Sequence, residues 1–275
     1  MRLSKIILIL TLTLGIFFSV KKFISSEKTI LRIGSECDYI PNSWEESKPS
    51  DSNLPVSNHD GFYAEGYDIQ MAKLVAEEMG MEPQIVKLKW ENLIPALRRR
   101  EIDIIFSSML DTEERRKKID FSNPYELKKT EYTVMVNKNG KYADITKLEE
   151  LYHAKILSQK GTYFETAIDQ IPGAVKVPPL ENIQAMVDEL NKNAVDGIII
   201  DWDTGQVYER NNKDLKIIRF PEGEGFIIGF SGVCAGVRKN NRDLLDKVNG
   251  AIDSISYRQK QKVMDQVISK IWKNL

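Results

Sequence analysis

The chain has 275 residues, with 39 Lys and Arg against 40 Asp and Glu and 42% apolar side chains, enough for one large or two modest domains with a real core. A formal net charge of −1 argues against nucleic acid or anionic lipid as the main partner. Two Cys, at 37 and 234, and two His, at 59 and 153, argue against a zinc cluster, a dense disulfide scaffold or imidazole-held catalytic metal, and no cofactor is implied.

At the amino end Arg2 and Lys5 precede the uncharged run Ile6–Val20, which Lys21 and Lys22 close. A positive head, an apolar run shorter than the roughly 20 residues of a comfortable membrane span, and a polar exit predict an export signal. Residues 1–29 are assigned to it, as a cleaved signal peptide or a retained N-terminal anchor. Export would let Cys37 and Cys234 oxidise; two buried free thiols are the preferred reading.

Leu31–Ser35 reads as a strand ending in a loop that begins with Glu36. Residues 42–65, rich in Ser, Pro, Asn and Asp, read as a surface excursion. Apolar positions 67, 71, 74, 75 and 79 fit a helix stopped by Gly80. Ile85–Leu88 is a strand, and Asn92–Arg100 is a helix whose basic end suits its dipole. Ile102–Phe106 is nearly all apolar, as in a parallel strand buried on both faces. This β-α-β-α-β order predicts an α/β fold.

The second half repeats the theme. Lys155–Ser158 is a strand, Gly161 and Thr162 open a helix to about Gln170, and Val175–Val177 is a strand. Ile183–Asn191 is a helix and Gly197–Ile200 a buried strand. The stretches 97–108 and 190–201 both run from a helix through a polar turn and an apolar–Asp pair, Asp103 or Asp196, into an apolar strand with a polar end. Two similar lobes follow, each a mixed, mostly parallel sheet flanked by helices. Asp214–Phe220 is a further strand, 222–236 is glycine-rich, and Asp243–Trp272 is helical. The chain is expected to leave lobe one near 127–131 and to return near 225–232, a two-strand hinge. The boundaries are 30–128 and 229–275 for lobe one, and 129–228 for lobe two.

In open parallel sheets ligands bind beyond the carboxyl ends of the strands. Lobe one places Glu36, Trp90 and Ser108 there, with Arg115 shortly after; lobe two places Thr162, Tyr163 and Asp201. This set matches a free α-amino acid. Arg115 supplies planar donors for a carboxylate, with backbone N–H groups near Ser108 and Thr162 in support. Asp201 would accept from the α-ammonium, while Trp90 and Tyr39 flank the side chain. Each residue also has a plainer reading: Arg115 as part of a solvated charged helix end, Asp201 as a cap, Trp90 as a core aromatic, Thr162 as an ordinary helix start, Glu36 as a surface acid.

The stretches Gly66–Gly80, Trp90–Leu97, Ser107–Arg115 and Ile119–Tyr125 resemble the extracellular polar amino-acid-binding proteins of ABC importers, solute-binding protein family 3, from about Leu31 to the carboxyl end. The resemblance implies a two-lobed, type II periplasmic-binding-protein-like fold. It implies Arg115 and Ser108 on the ligand carboxylate, Asp201 on the α-amino group, Thr162 and Tyr163 at the lobe-two helix start, and Glu36 and Trp90 shaping the side-chain pocket. It also implies an exported monomer that delivers a free, polar or basic amino acid to a permease with a cytoplasmic ATPase. Gln70 replaces the usual acidic residue, on the helix surface and of little consequence. Leu110 stands where a hydroxyl often helps hold the ligand, and 42–65 is longer than in many relatives. Competing readings are an exported dehydratase with Glu36 or Glu165 as general acid, and an anchored sensor lobe.

Overall fold

The computed structural model describes residues 29–126, 131–229 and 232–274; residues 1–28 of the export segment, 127–130 of the first hinge crossing and 230–231 of the second lie outside them. The described residues form two α/β lobes of matching topology. In lobe one, β1 (Ile30–Ser35), β6 (Glu82–Lys87), β7 (Ile104–Ile105), β8 (Ile119–Glu126) and β14 (Val233–Arg238) make one sheet in the order β6-β1-β7-β14-β8. In lobe two, β9 (Tyr132–Asn137), β10 (Lys155–Leu157), β11 (Val175–Lys176), β12 (Gly197–Asp201) and β13 (Leu215–Ile218) take the order β11-β10-β12-β9-β13. In each sheet only the fourth strand, β14 or β9, runs against the others.

Side-chain alternation explains why both sheets are covered on two faces. In β7, Ile104 enters one core with Leu31 and Ile33, while Ile105 enters the opposite core with Leu93 and Leu97. In β12, Ile199 faces one core and Ile198 and Ile200 the other. The repeated aspartate does equivalent work in each lobe. Asp103 accepts from Arg32 N at 3.2 Å and Asp196 from Lys155 N at 2.8 Å, and each returns its own N–H to the same residue's carbonyl. A carboxylate thus pins the register of the two central parallel strands.

The excursion at 42–65 is not a plain loop. With Asp38–Tyr39 (β2) it builds a third, antiparallel sheet from Ser43–Glu46 (β3), Leu54–Pro55 (β4) and Tyr63–Glu65 (β5), in the order β2-β3-β5-β4. Strands this short carry too few alternations to stand out among turn residues. Glu65 in this sheet is fully buried, and it is satisfied by Lys270 Nζ at 2.6 Å, Ser52 Oγ at 2.5 Å and Gln70 Nε2 at 3.1 Å. Gln70 is therefore not without consequence: an acid there would set a second carboxylate against Glu65.

The first helix, α1 (Tyr67–Glu78), has no side-chain cap. Instead the carbonyls of Pro41 and Asn42 accept from Tyr67 N at 3.2 Å and Asp68 N at 2.8 Å, satisfying N–H groups every helix start leaves open. This approach needs Gly66, whose φ is 123° and where a Cβ would lie 2.3 Å from the Asn42 carbonyl oxygen. Gly66→Ala should cost at least about 2 kcal/mol, through strain and the displaced cap. At roughly 2–4 °C per kcal/mol, calorimetry should show a melting temperature lower by about 5 °C or more.

Candidate functional site

A cavity of about 250 Å³ lies between the lobes, lined by all eight residues expected from the strand ends: Glu36, Tyr39, Trp90, Ser108, Arg115, Thr162, Tyr163 and Asp201. Drug-sized ligands occupy roughly 300–1,000 Å³, so the space suits one small solute rather than a peptide. Direct interlobe contacts frame it, among them those of Arg115, Trp90, Asp201 and Glu36.

Arg115 sits on α3 (Glu113–Arg116), after α2 (Leu93–Arg98), in a single turn where Thr112 Oγ1 caps Arg115 N at 3.2 Å. Its neighbours behave as a solvated charged end: Arg116, Lys117 and Lys118 are exposed and pair with Asp111, Glu113 and Glu114. Arg115 itself turns inward. Its Nη1 donates to Leu110 O at 2.9 Å, its Nη2 to Gly161 O of lobe two at 3.3 Å, and its guanidinium lies 5.1 Å from the Trp90 ring centre. Burial lowers its pKa, yet a guanidinium stays charged. Among the described residues no carboxylate forms an ion pair with it. Leu110 thus contributes a carbonyl that aims Arg115, whatever its side chain lacks. Trp90 packs half-buried against the core around Leu93 and Leu97 and also reaches the cavity, donating Nε1–H to Gly161 O at 2.9 Å.

Asp201 serves two ends at once. Its Oδ1 caps α6 (Trp202–Asn211) by accepting from Thr204 N at 3.0 Å, while Oδ2 accepts from Tyr39 Oη of lobe one at 2.5 Å. The residue is buried, and desolvation raises its pKa. Tyr39 is raised well above the usual phenol range, by burial first and by the Asp201 charge second. Both the cap and the cleft-facing readings of Asp201 describe the same side chain.

Glu36 is no surface acid. It is buried, its N–H donates to Ser107 Oγ at 3.1 Å, and its Oε1 accepts from Gln159 Nε2 of lobe two at 2.5 Å. Ser108 adopts a left-handed φ of 48°, uncommon for a residue with a Cβ. It is held there by Oγ–H to Asp68 Oδ2 at 2.9 Å and N–H to Tyr125 Oη at 3.1 Å, and Tyr125 in turn donates to Asp68 Oδ1 at 2.6 Å. Both donors of Ser108 thus point into lobe one, and its hydroxyl offers the cavity an acceptor. Thr162 likewise directs N–H and Oγ–H to Gln159 O, at 3.4 and 2.7 Å. Tyr163 opens α4 (Tyr163–Ala167), its ring centre 6.1 Å from that of Tyr132.

Residues 31–269 match the family of bacterial extracellular solute-binding proteins, family 3. The chain belongs to this family. It is 27% identical over 247 residues to the L-cystine-binding protein TcyJ of Escherichia coli (strain K12), covering 90% of this chain and 83% of that one. The arginine-binding extracellular protein ArtP of Bacillus subtilis (strain 168) is 27% identical over 229 residues, 82% of this chain and 81% of that one. Among solved structures, an ancestral arginine-binding protein bound to arginine aligns with a TM-score of 0.71 and 26% identity, over 89% of this chain and 98% of its own. These relatives are named as binding proteins, not enzymes.

In this family member, sequence reasoning passed over Gln159, Tyr132 and Asp68. Gln159 follows β10 as Glu36 follows β1, so the strand-end rule that marked Glu36 applies to it equally. Tyr132 opens β9, which no turn signal announced, and Asp68 looks like an ordinary first-turn acid. Both cysteines are buried and free. No described helix is long and apolar enough to cross a membrane.

Burial, with a smaller contribution from the Asp38 charge, pushes the Glu36 carboxyl from 4.5 up to about 8. The folded protein therefore keeps a proton that the unfolded chain releases. This contribution is full below about pH 4.5 and is lost as pH rises through about 8. The wild-type melting temperature should fall relative to that of Glu36→Gln across this window; parallel curves would contradict it.

Proposed function

We propose that this solute-binding protein captures a free polar or basic amino acid between its lobes and hands it to the permease of an ABC importer, which a cytoplasmic ATPase drives. In this reading Arg115 takes the α-carboxylate, Asp201 the α-ammonium, and Trp90 and Tyr39 flank the side chain. Ser108 and Thr162 supply acceptors on the cavity wall, Tyr163 closes the lobe-two side, and Glu36 meets the side chain's end. One observation carries the reading: a desolvated guanidinium without a carboxylate partner among the described residues and a buried carboxylate line the same small cavity from opposite lobes. The names of the relatives, which bind cystine or arginine, support it.

The two charges assigned to the ligand's ends come from opposite lobes, so a zwitterion is gripped fully only when the lobes meet, coupling binding to closure. Lobe boundaries at 128/129 and 228/229, a monomeric state, and export with residues 1–29 as signal or anchor belong to the same proposal. A thermal-shift screen against the twenty amino acids tests it. A ligand that binds only the folded state raises the melting temperature, by about 2.7 kcal/mol of added stability at a hundredfold excess over Kd; a screen without any shift would refute it.

A dehydratase needs a proton-bearing carboxyl facing the substrate, and Glu36 meets that one requirement. Turnover of cyclic amino acids by the purified protein would favour that reading; their recovery unchanged would leave the transport role.

A further inference from the structure

Asp68 has no part in the two-charge grip, yet it is a fully buried acid in the first turn of α1. It reaches the cavity wall through two residues. Its N–H donates to the Asn42 carbonyl at 2.8 Å, and its Oδ2 accepts from Ser108 Oγ at 2.9 Å. Both Asn42 and Ser108 line the cavity.

Asp68, Ser108 and Tyr125 form a closed ring of hydrogen bonds, and a backbone amide fixes its direction. Ser108 N–H can only donate, so Tyr125 Oη accepts from it at 3.1 Å and must send its own proton to Asp68 Oδ1 at 2.6 Å. Burial first, and the Asp68 charge second, raise Tyr125 well above the usual phenol range, so that proton stays in place. One position in the ring is left variable, between Asp68 Oδ2 and Ser108 Oγ. With Asp68 ionised, the Ser108 proton lies there and the hydroxyl turns its lone pairs to the cavity. With Asp68 protonated, the acid's own proton takes that position and the Ser108 hydrogen is released to the cavity. We infer that Asp68 is a positioning residue for ligand capture: as a carboxylate it keeps the Ser108 proton turned into lobe one, so that Ser108 meets the ligand as an acceptor and not as a donor.

The inference rests on the amino-acid reading above, which supplies the donor. An ammonium carries three N–H groups, and Asp201 already accepts from Thr204 N and Tyr39 Oη, so a further acceptor on the wall is of use. The same ring holds the left-handed backbone of Ser108, so Asp68 sets both where the oxygen stands and which way its proton points. Burial pushes the Asp68 carboxyl from 3.8 up to about 7, against the hydrogen bonds of Tyr125 and Ser108, which lower it. The titratable groups around it are Tyr125 on β8 and Tyr67 beside it on α1, and Glu126 on β8 raises both phenols. The Pro41–Asn42 and Ser107–Ser108 segments against it carry no titratable side chain. A ligand ammonium at Ser108 favours the ionised acid, so capture and proton loss are linked.

Asp68→Asn tests this, because the amide keeps the shape of the ring while acting as the protonated acid: its oxygen accepts from Tyr125 Oη and its NH2 group donates to Ser108 Oγ. The purified full-length protein is titrated calorimetrically with L-arginine, or with whichever of the twenty amino acids gives a larger thermal shift. At about pH 8 Asp68→Asn should bind about tenfold to a hundredfold more weakly than the wild type. The gap should narrow as pH falls through about 7, where the wild type takes on the variant's proton arrangement. Taking the ratio at each pH cancels the titration of the ligand, Glu36 and Asp201. Ser108→Gly suits the left-handed backbone and removes the hydroxyl; it should bind weakly throughout and lose nothing more when Asp68→Asn is added. A merely structural Asp68 would weaken binding by one factor at every pH, with or without the Ser108 hydroxyl, and that result would overturn the inference. So would an Asp68→Asn protein that binds as tightly as the wild type at about pH 8; in both cases the amino-acid reading would survive. A protein that binds none of the twenty amino acids would defeat both. If Asp68→Asn does not fold, the wild type and Ser108→Gly still decide the matter: their affinity ratio should shrink as pH falls through about 7, and a constant ratio would contradict the inference.

Discussion

Arg115→Ala should reduce amino-acid affinity by about thirtyfold to several thousandfold. Truncating one partner of a desolvated, hydrogen-bonded charge pair costs about 2–5 kcal/mol or more, and each 1.4 kcal/mol is a factor of ten. Arg115→Lys should recover only part of this, because an ammonium lacks the planar fork that matches a carboxylate in two places. The ligand-free melting temperature should move little. Arg115 donates to two carbonyls, of Leu110 and Gly161, and among the described residues no carboxylate is stranded by its removal. Calorimetry and a thermal melt on the same preparation separate the two effects. Unchanged affinity would remove Arg115 from the site.

Asp201→Asn should also cost at least about thirtyfold in affinity, by removing the buried negative charge opposite the ligand ammonium. It isolates that charge from the cap, since Asn is as good an N-cap as Asp. The amide oxygen can keep Thr204 N while its NH2 group meets Tyr39 Oη. Asp201→Ala should add a stability loss of about 1 kcal/mol from the missing cap. If Asp201→Asn bound normally while Asp201→Ala was only less stable, the residue would be a helix cap and nothing more.

How much of this was legible beforehand follows from where each signal lies. Glu36 follows β1, Ser108 lies three residues past β7 and Asp201 ends β12, and a parallel sheet sends residues at such strand ends to its ligand edge whatever the details of packing. The aspartates at 103 and 196 recur because each pins the same strand pair in its lobe, and that recurrence exposed the two-lobed plan. What stayed hidden depends on partners distant in sequence. The amide and hydroxyl of Ser108 are claimed by Tyr125 and Asp68. The Gln159 side chain acquires its meaning only against Glu36, 123 positions away. The small antiparallel sheet within 38–65 is likewise made by pairing between strands of two to four residues. Its buried Glu65 is tolerable because Lys270, on the last helix, α8 (Tyr257–Asn274), reaches it.

The central claim is that two charges from opposite lobes hold opposite poles of one zwitterion. A crystal structure of the protein with the amino acid that gives the largest thermal shift tests it most directly. The account predicts a ligand carboxylate within about 3 Å of the Arg115 guanidinium and a ligand ammonium within about 3 Å of an Asp201 oxygen. A ligand bound elsewhere, or one whose α-groups turn away from both residues, would contradict it.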